Sequence, residues 1–148
     1  MRLLFGYLII ILVCCGCSRF YDIEHTRLFA GHDPLYTLKY LADANGYESG
    51  NSASGDSSGS SFGEKYCTYE IKGDEAIREE ILREYKMMIE KEAEMYGLKV
   101  TAKENDPFSG FHLKYDNGHG IKGTFRLFAV VDWNGTIQFD AFLYEHKN

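Results

Sequence analysis

Clustered basic charge is what this chain most plainly lacks. Lys and Arg number 16 against 22 Asp and Glu, for a formal net charge of -6, and no run or stripe of Lys and Arg stands out. Nucleic acid and anionic lipid headgroups are therefore disfavoured as partners, because counterion release needs cations gathered on one surface. Cysteine is scarce as well. Of four, Cys14, Cys15 and Cys17 crowd the N-terminus and only Cys67 lies further on, so no internal disulfide can staple the remainder. The two prolines, Pro34 and Pro107, read as punctuation: one opens a helix and the other follows a break. The five histidines, His25, His32, His112, His119 and His146, contain no pair at the spacing typical of zinc sites. Beyond residue 13 there is no long apolar run.

What is present is aromatic. Ten Phe and eleven Tyr within 148 residues supply one compact core, and the chain is too short for two large ones. The N-terminus is the most informative stretch. Met1-Arg2 precedes the apolar run Leu3 to Val13, which has the length and single positive charge of a signal peptide. As a helix, Leu3 to Cys17 would span only about 22 Å, short of the roughly 30 Å of a hydrocarbon core.

The following residues, Leu12-Val13-Cys14-Cys15-Gly16-Cys17-Ser18, resemble the lipobox of bacterial lipoproteins, in which a small residue precedes a cysteine that is acylated and becomes the first residue. Gly16 before Cys17 fits that step, although Cys14 stands where the family prefers Leu. Leu12-Val13 would instead suit Cys15, with Cys14 before the cut. Cys17 is taken as the lipidated residue. The resemblance implies diacylglycerol and palmitate on that cysteine and a site in the cell envelope. Ser18 in place of Asp points to the outer rather than the inner membrane. A plain secretory signal or uncleaved anchor is the bland reading of the same residues. Loss of residues 1–16 removes Arg2 alone, leaving 15 basic residues against 22 acidic.

The mature chain divides on composition into an anchored segment, 17–48, a tract at 49–63 and a domain at 64–148. In the first, Asp33 suits an N-cap, Pro34 the first helical position, and Leu35, Leu38, Leu41 and Ala42 form a stripe before Asn45-Gly46. A helix this short needs something to pack against. The tract holds 11 Ser or Gly in 15 positions and reads as a flexible linker reaching about 20 Å. Lys65 to Lys72 alternates as a strand does. From Glu75 to Tyr96, apolar residues at Ile77, Ile81, Leu82, Tyr85, Met88, Ile89, Ala93 and Tyr96 make one helical stripe, with Asp74 and Gly97 at its ends. Strands are expected over 98–104, 108–115, 121–133 and 136–146. The order β-α-β-β-β-β implies an α+β fold, an antiparallel-rich sheet with the long helix on one face.

Asn134-Gly135 signals a two-residue hairpin turn. That register places Phe128 opposite Ala141 beneath the helix. Phe125, Leu127, Trp133, Phe142 and Tyr144 then fall together on the second face, which becomes the candidate interaction face.

Chemical motifs are weak. Gly55 to Gly59 and Gly59 to Gly63 match Gly-x-Ser-x-Gly, but a Ser/Gly tract produces such strings by composition, without the strand-to-helix turn a nucleophile elbow needs. Glu79, Glu80 and Glu84 interleave with Arg78, Arg83 and Lys86 and read as a solvated face. Cys67, among strand residues, reads as buried and inert. Asn134-Gly135-Thr136 matches a glycosylation sequon but reads as turn chemistry. His112, Asp116 and His119 could approach across the 116–120 turn as a metal site. Two functions follow: a non-enzymatic envelope lipoprotein whose domain binds a protein or stabilises a complex, with no cofactor; or a small metal-binding protein or enzyme using those three side chains. The oligomeric state is left open.

Overall fold

In the computed structural model, residues 28–31, 33–59, 62–106 and 110–147 are described. The expected signal segment, residues 1–16, and Cys17 lie outside them. A single 3-10 turn, Leu28–Gly31, leads to α1, Pro34–Asn45. The strands are β1, Ser49–Ser58, and β2, Phe62–Lys72, then β3, Lys99–Asp106, β4, Gly110–Asp116, β5, Ile121–Val131, and β6, Thr136–Lys147, with α2, Glu75–Met95, between β2 and β3. All pairings are antiparallel, in the spatial order β1-β2-β6-β5-β4-β3. The fold is α+β, with the long helix packed on the sheet.

Each helix starts and stops where its capping residues dictate. The Asp33 carboxylate accepts from the Tyr36 N–H at 3.1 Å, Pro34 takes the first turn, and Gly46 turns left-handed at φ 69°. On α2, Asp74 accepts from the Ala76 and Ile77 N–H groups. Gly97, at φ 68°, lets the Leu98 N–H return to the Ala93 carbonyl at 2.8 Å, and Leu98 is buried. A helix of 21 residues is about 31 Å long. It therefore carries the chain from β2 over β6, β5 and β4 to the far edge.

One face of the sheet makes the core. Cys67, Tyr69 and Ile71 from β2, Phe125, Leu127 and Ala129 from β5, and Ile137, Phe139, Ala141 and Leu143 from β6 are buried beneath Ile81, Tyr85, Ile89 and Ala93 of α2. Leu35, Leu38, Leu41 and Ala42 of α1 join the same core, as do Leu28 and Phe29 of the 3-10 turn. Residues 28–46 thus complete the domain rather than merely tether it. Tyr47 donates to Glu80 at 2.7 Å and Asn45 to Glu84 at 3.1 Å, tying the end of α1 to α2. The α2 carboxylates expected to form a solvated face therefore include two that bridge the helices.

The Ser/Gly tract is the first correction. Instead of a linker, residues 49–58 are the edge strand β1, paired along β2 from Ser49↔Ile71 to Ser58↔Gly63 with a bulge between Ser49 and Ser52. An antiparallel ladder is built from backbone groups, so composition does not forbid it when a long partner strand is already held on its other side. Side chains of β2 also reach across. Glu70 accepts from the Asn51 backbone and side-chain N–H groups, both at 3.1 Å. A Cβ at Gly55 would lie 2.6 Å from the Tyr66 hydroxyl oxygen, so glycine there leaves room for the Tyr66 ring.

The second correction is the β5-β6 register. The connection is a three-residue turn, Trp133-Asn134-Gly135, with Asp132 opposite Thr136: Asp132 N–H donates to the Thr136 carbonyl at 2.8 Å. Gly135 is left-handed at φ 70°, and the Asp132 carboxylate accepts from the N–H groups of Asn134 and Thr136, both at 2.8 Å. Those side-chain bonds favour the longer turn. The consequence is a one-residue slip, Leu127↔Ala141 and Phe125↔Leu143, which exchanges the faces of β5.

Candidate interaction face

Residues 122, 124, 126, 128 and 130 of β5 share a face with 62, 64, 66, 68, 70 and 72 of β2 and with 136, 138, 140, 142, 144 and 146 of β6. Both helices and the 3-10 turn pack on the opposite side. Among the described residues, no helix or strand lies over this face.

Of the five residues expected to form one face, the structure brings two together. Phe142 and Tyr144 are on the open face at 40% and 46% exposure. Phe125 and Leu127 are buried in the core, Phe125 against Tyr85 and Phe29. Trp133 stands out in the turn at 93% exposure. The register slip accounts for the loss of Phe125 and Leu127 and brings in Arg126 and Phe128, while Tyr66 joins through the pairing of β2 with β6 opposite Phe142; the sequence reading missed all three. Their signal was alternation along β2 and β5; for β5 only the turn length could say which phase faced out, whereas Tyr66 already lay on the polar phase of β2.

The face is organised in rows across the strands. The central row runs Gly55, Tyr66, Phe142, Arg126, His112, Glu104. Tyr66 is 46% exposed, with its ring over Gly55. Phe142 meets Phe128 edge-to-face, ring centres 6.1 Å apart. On one side of this row, Thr68 donates to Asp140 at 2.7 Å, and Gln138 donates to both Asp140 oxygens. On the other side stand Glu64, Tyr144 and Thr124, then Phe62, His146 and Lys122. Glu64, Lys122 and Arg126 are exposed, and among the described residues none has an ion pair. The surface is thus a strip of aromatic rings on the middle strands, flanked by charge of opposite sign on β2 and β5 that is unpaired among the described residues.

The three metal candidates do not converge. His112 lies in the central row with its Nδ1 3.4 Å from Glu104. Asp116 accepts from the Gly118 N–H at 2.8 Å and so shapes the turn, and His119 is exposed beyond it. Among the described residues, no group of three His, Cys, Asp or Glu side chains is placed to hold a metal ion. Tight turn bonds from Asp116 and Asn117 hold the loop in a shape that serves backbone N–H groups.

The first serine string makes no elbow. Ser57 lies in the β1-β2 ladder opposite Glu64, with no strand-to-helix turn beneath it; Ser60 and Ser61 lie outside the described residues. Cys67 is buried, and burial pushes its thiol up to about 12, the backbone of Ala141 opposing in part. A thiol so held is protonated and unreactive at neutral pH. Among the described residues, no helix is long and apolar enough to cross a membrane. No protein-family model, curated protein or solved structure matches the chain.

Proposed function

We propose that this chain is a lipoprotein of the bacterial cell envelope, anchored by acylation of Cys17 and favouring the outer membrane, whose α+β domain is a non-enzymatic protein-binding module. The observation that carries the reading is the open sheet face. Phe142, Tyr144 and Tyr66 expose large rings side by side on the middle strands, and exposed aromatic groups are what protein interfaces are enriched in. The anchor reading rests on the resemblance of residues 12–18 to a lipobox. A domain that contributes recognition needs proximity to its partner, and a lipid tether supplies that by confining both to one surface.

Two experiments test the two halves. Fatty-acid labelling in the native cell should mark the chain, and Cys17→Ser should abolish the label while Cys15→Ser retains it; the reverse pattern would move the anchor. A photo-crosslinking residue replacing Phe142 should capture protein, whereas the same group replacing Lys91, exposed on α2, should not. Equal yields at both positions, or none at Phe142, would remove the open face as the binding surface.

A further inference from the structure

The geometry points to a second copy of this chain as the partner that covers the open face, forming a two-fold sandwich of two sheets. This inference rests on the reading of that face as a protein-binding surface and names its occupant.

Size comes first. Centred on β6, five strands at about 4.8 Å spacing can overlap in two copies, a width of about 24 Å, and the seven residues of β4 set a common length of about 23 Å. That is roughly 550 Å² before side-chain relief is counted, or about 1,100 Å² for the pair, above the roughly 1,000 Å² a specific interface needs. Sheets packed face to face lie about 10 Å apart with strands within about 30°, an arrangement that a two-fold axis along a strand allows.

Charge then selects the arrangement. β6 has β2 on one side and β5 on the other. A two-fold axis running along β6, between the two faces, lays β2 of one copy over β5 of the other and β6 over β6. Row by row, Glu64 then lies opposite Thr124 of the second copy, between its Lys122 and Arg126. Tyr66 lies opposite Arg126 of the second copy, which can stack its guanidinium on the ring. Phe142 and Tyr144 meet their own counterparts at the axis, as does Asp140, whose carboxylate already accepts from Thr68 and Gln138. The unpaired cations of β5 thus find the unpaired Glu64 and the Tyr66 ring, and each such contact is made twice. An axis across the strands would instead stack β2 on β2 and β5 on β5, and Glu64 would lose its approach to Lys122 and Arg126. Because the chosen axis can stand normal to a membrane, both tethers enter the same bilayer.

Sedimentation of the full chain in detergent tests this, with the Phe142 photo-crosslinker run in parallel in the native cell. The expected result is a reversible dimer. Arg126→Glu should weaken it about tenfold or more through like-charge contacts with Glu64, with the thermal midpoint of the monomer unchanged. The triple exchange Glu64→Lys, Lys122→Glu, Arg126→Glu should restore it. A dimer indifferent to Arg126→Glu and to Phe142→Asp would lie elsewhere on the surface and overturn the inference. A monomer whose Phe142 crosslinker captures a different protein would overturn the second copy while leaving the protein-binding reading standing. A monomer with no capture would overturn both.

Discussion

The rings of Tyr85 and Phe125 lie parallel, 7° apart in tilt with centres separated by 5.8 Å, and Phe29 closes against Phe125 edge-on at 5.2 Å. The long helix, the sheet and the segment before α1 therefore meet at one side chain. Tyr85 also donates its hydroxyl to the Pro34 carbonyl at 3.2 Å, joining α2 to the first turn of α1. Phe125→Ala should cost about 3–5 kcal/mol and Phe29→Ala a comparable amount, read as a shift in the denaturant midpoint. A small effect at Phe29 would mean that residues 28–46 are a tether and not part of the core.

Alkaline pH should destabilise the domain through groups held protonated. Burial raises the Cys67 thiol from 9.0 to about 12. Hydrogen bonding to Glu80, with burial and nearby carboxylates, raises Tyr47 from 10.0 to about 12; burial pushes Tyr85 in the same direction. The unfolded chain releases these protons first, so stability is fully present below about pH 9 and falls as pH rises toward 12. Cys67→Ala should flatten part of that slope. Denaturant midpoints at closely spaced pH values would show it, and identical slopes for the two proteins would contradict the cause assigned.

The edge strand predicts a pattern of amide exchange that no linker would give. In an antiparallel edge strand, alternate N–H groups bond to the neighbour and the rest face solvent. Over 52–58, NMR should find protection at every second amide, apart from disturbance next to the bulge. Uniformly fast exchange would restore the linker reading.

Turn geometry sets which face of β5 is buried, so its bonds should matter more than their exposure suggests. Asp132→Ala removes the acceptor for the Asn134 and Thr136 N–H groups and should cost about 1–2 kcal/mol. Gly135→Ala forces a side chain into the left-handed region and should cost about 1–2 kcal/mol. Thermal midpoints of both variants would show whether the three-residue turn is the device that holds register.

Much of the fold was legible in the residues. The α2 stripe, the Asp33-Pro34 and Asp74 starts, and the Gly46 and Gly97 stops depend on neighbours within one helical turn, and all appear where the pattern places them. What was not legible depends on partners far along the chain. β1 exists because β2, paired on its other side to β6, offers it a ladder, a circumstance absent from the composition of 49–58. The candidate face failed at a finer point. Asn134-Gly135 suits a two-residue turn equally well, and the Asp132 bonds that select three residues move every side chain of β5 to the other face. His112, Asp116 and His119 sit at plausible spacing, but the ladder sets His112 in the central row beside Glu104 while Asp116 is spent on the turn.

Solvent footprinting of tyrosines measures the central claim most directly, comparing the chain in its native membranes with the same chain purified and diluted. Tyr66 and Tyr144 on the open face should be strongly protected in the membrane and readily modified after dilution, while Tyr36 and Tyr40, exposed on α1, should be modified alike in both. Equal modification of Tyr66 and Tyr144 in the two states would mean that nothing covers the face in the cell, and the protein-binding account would be wrong.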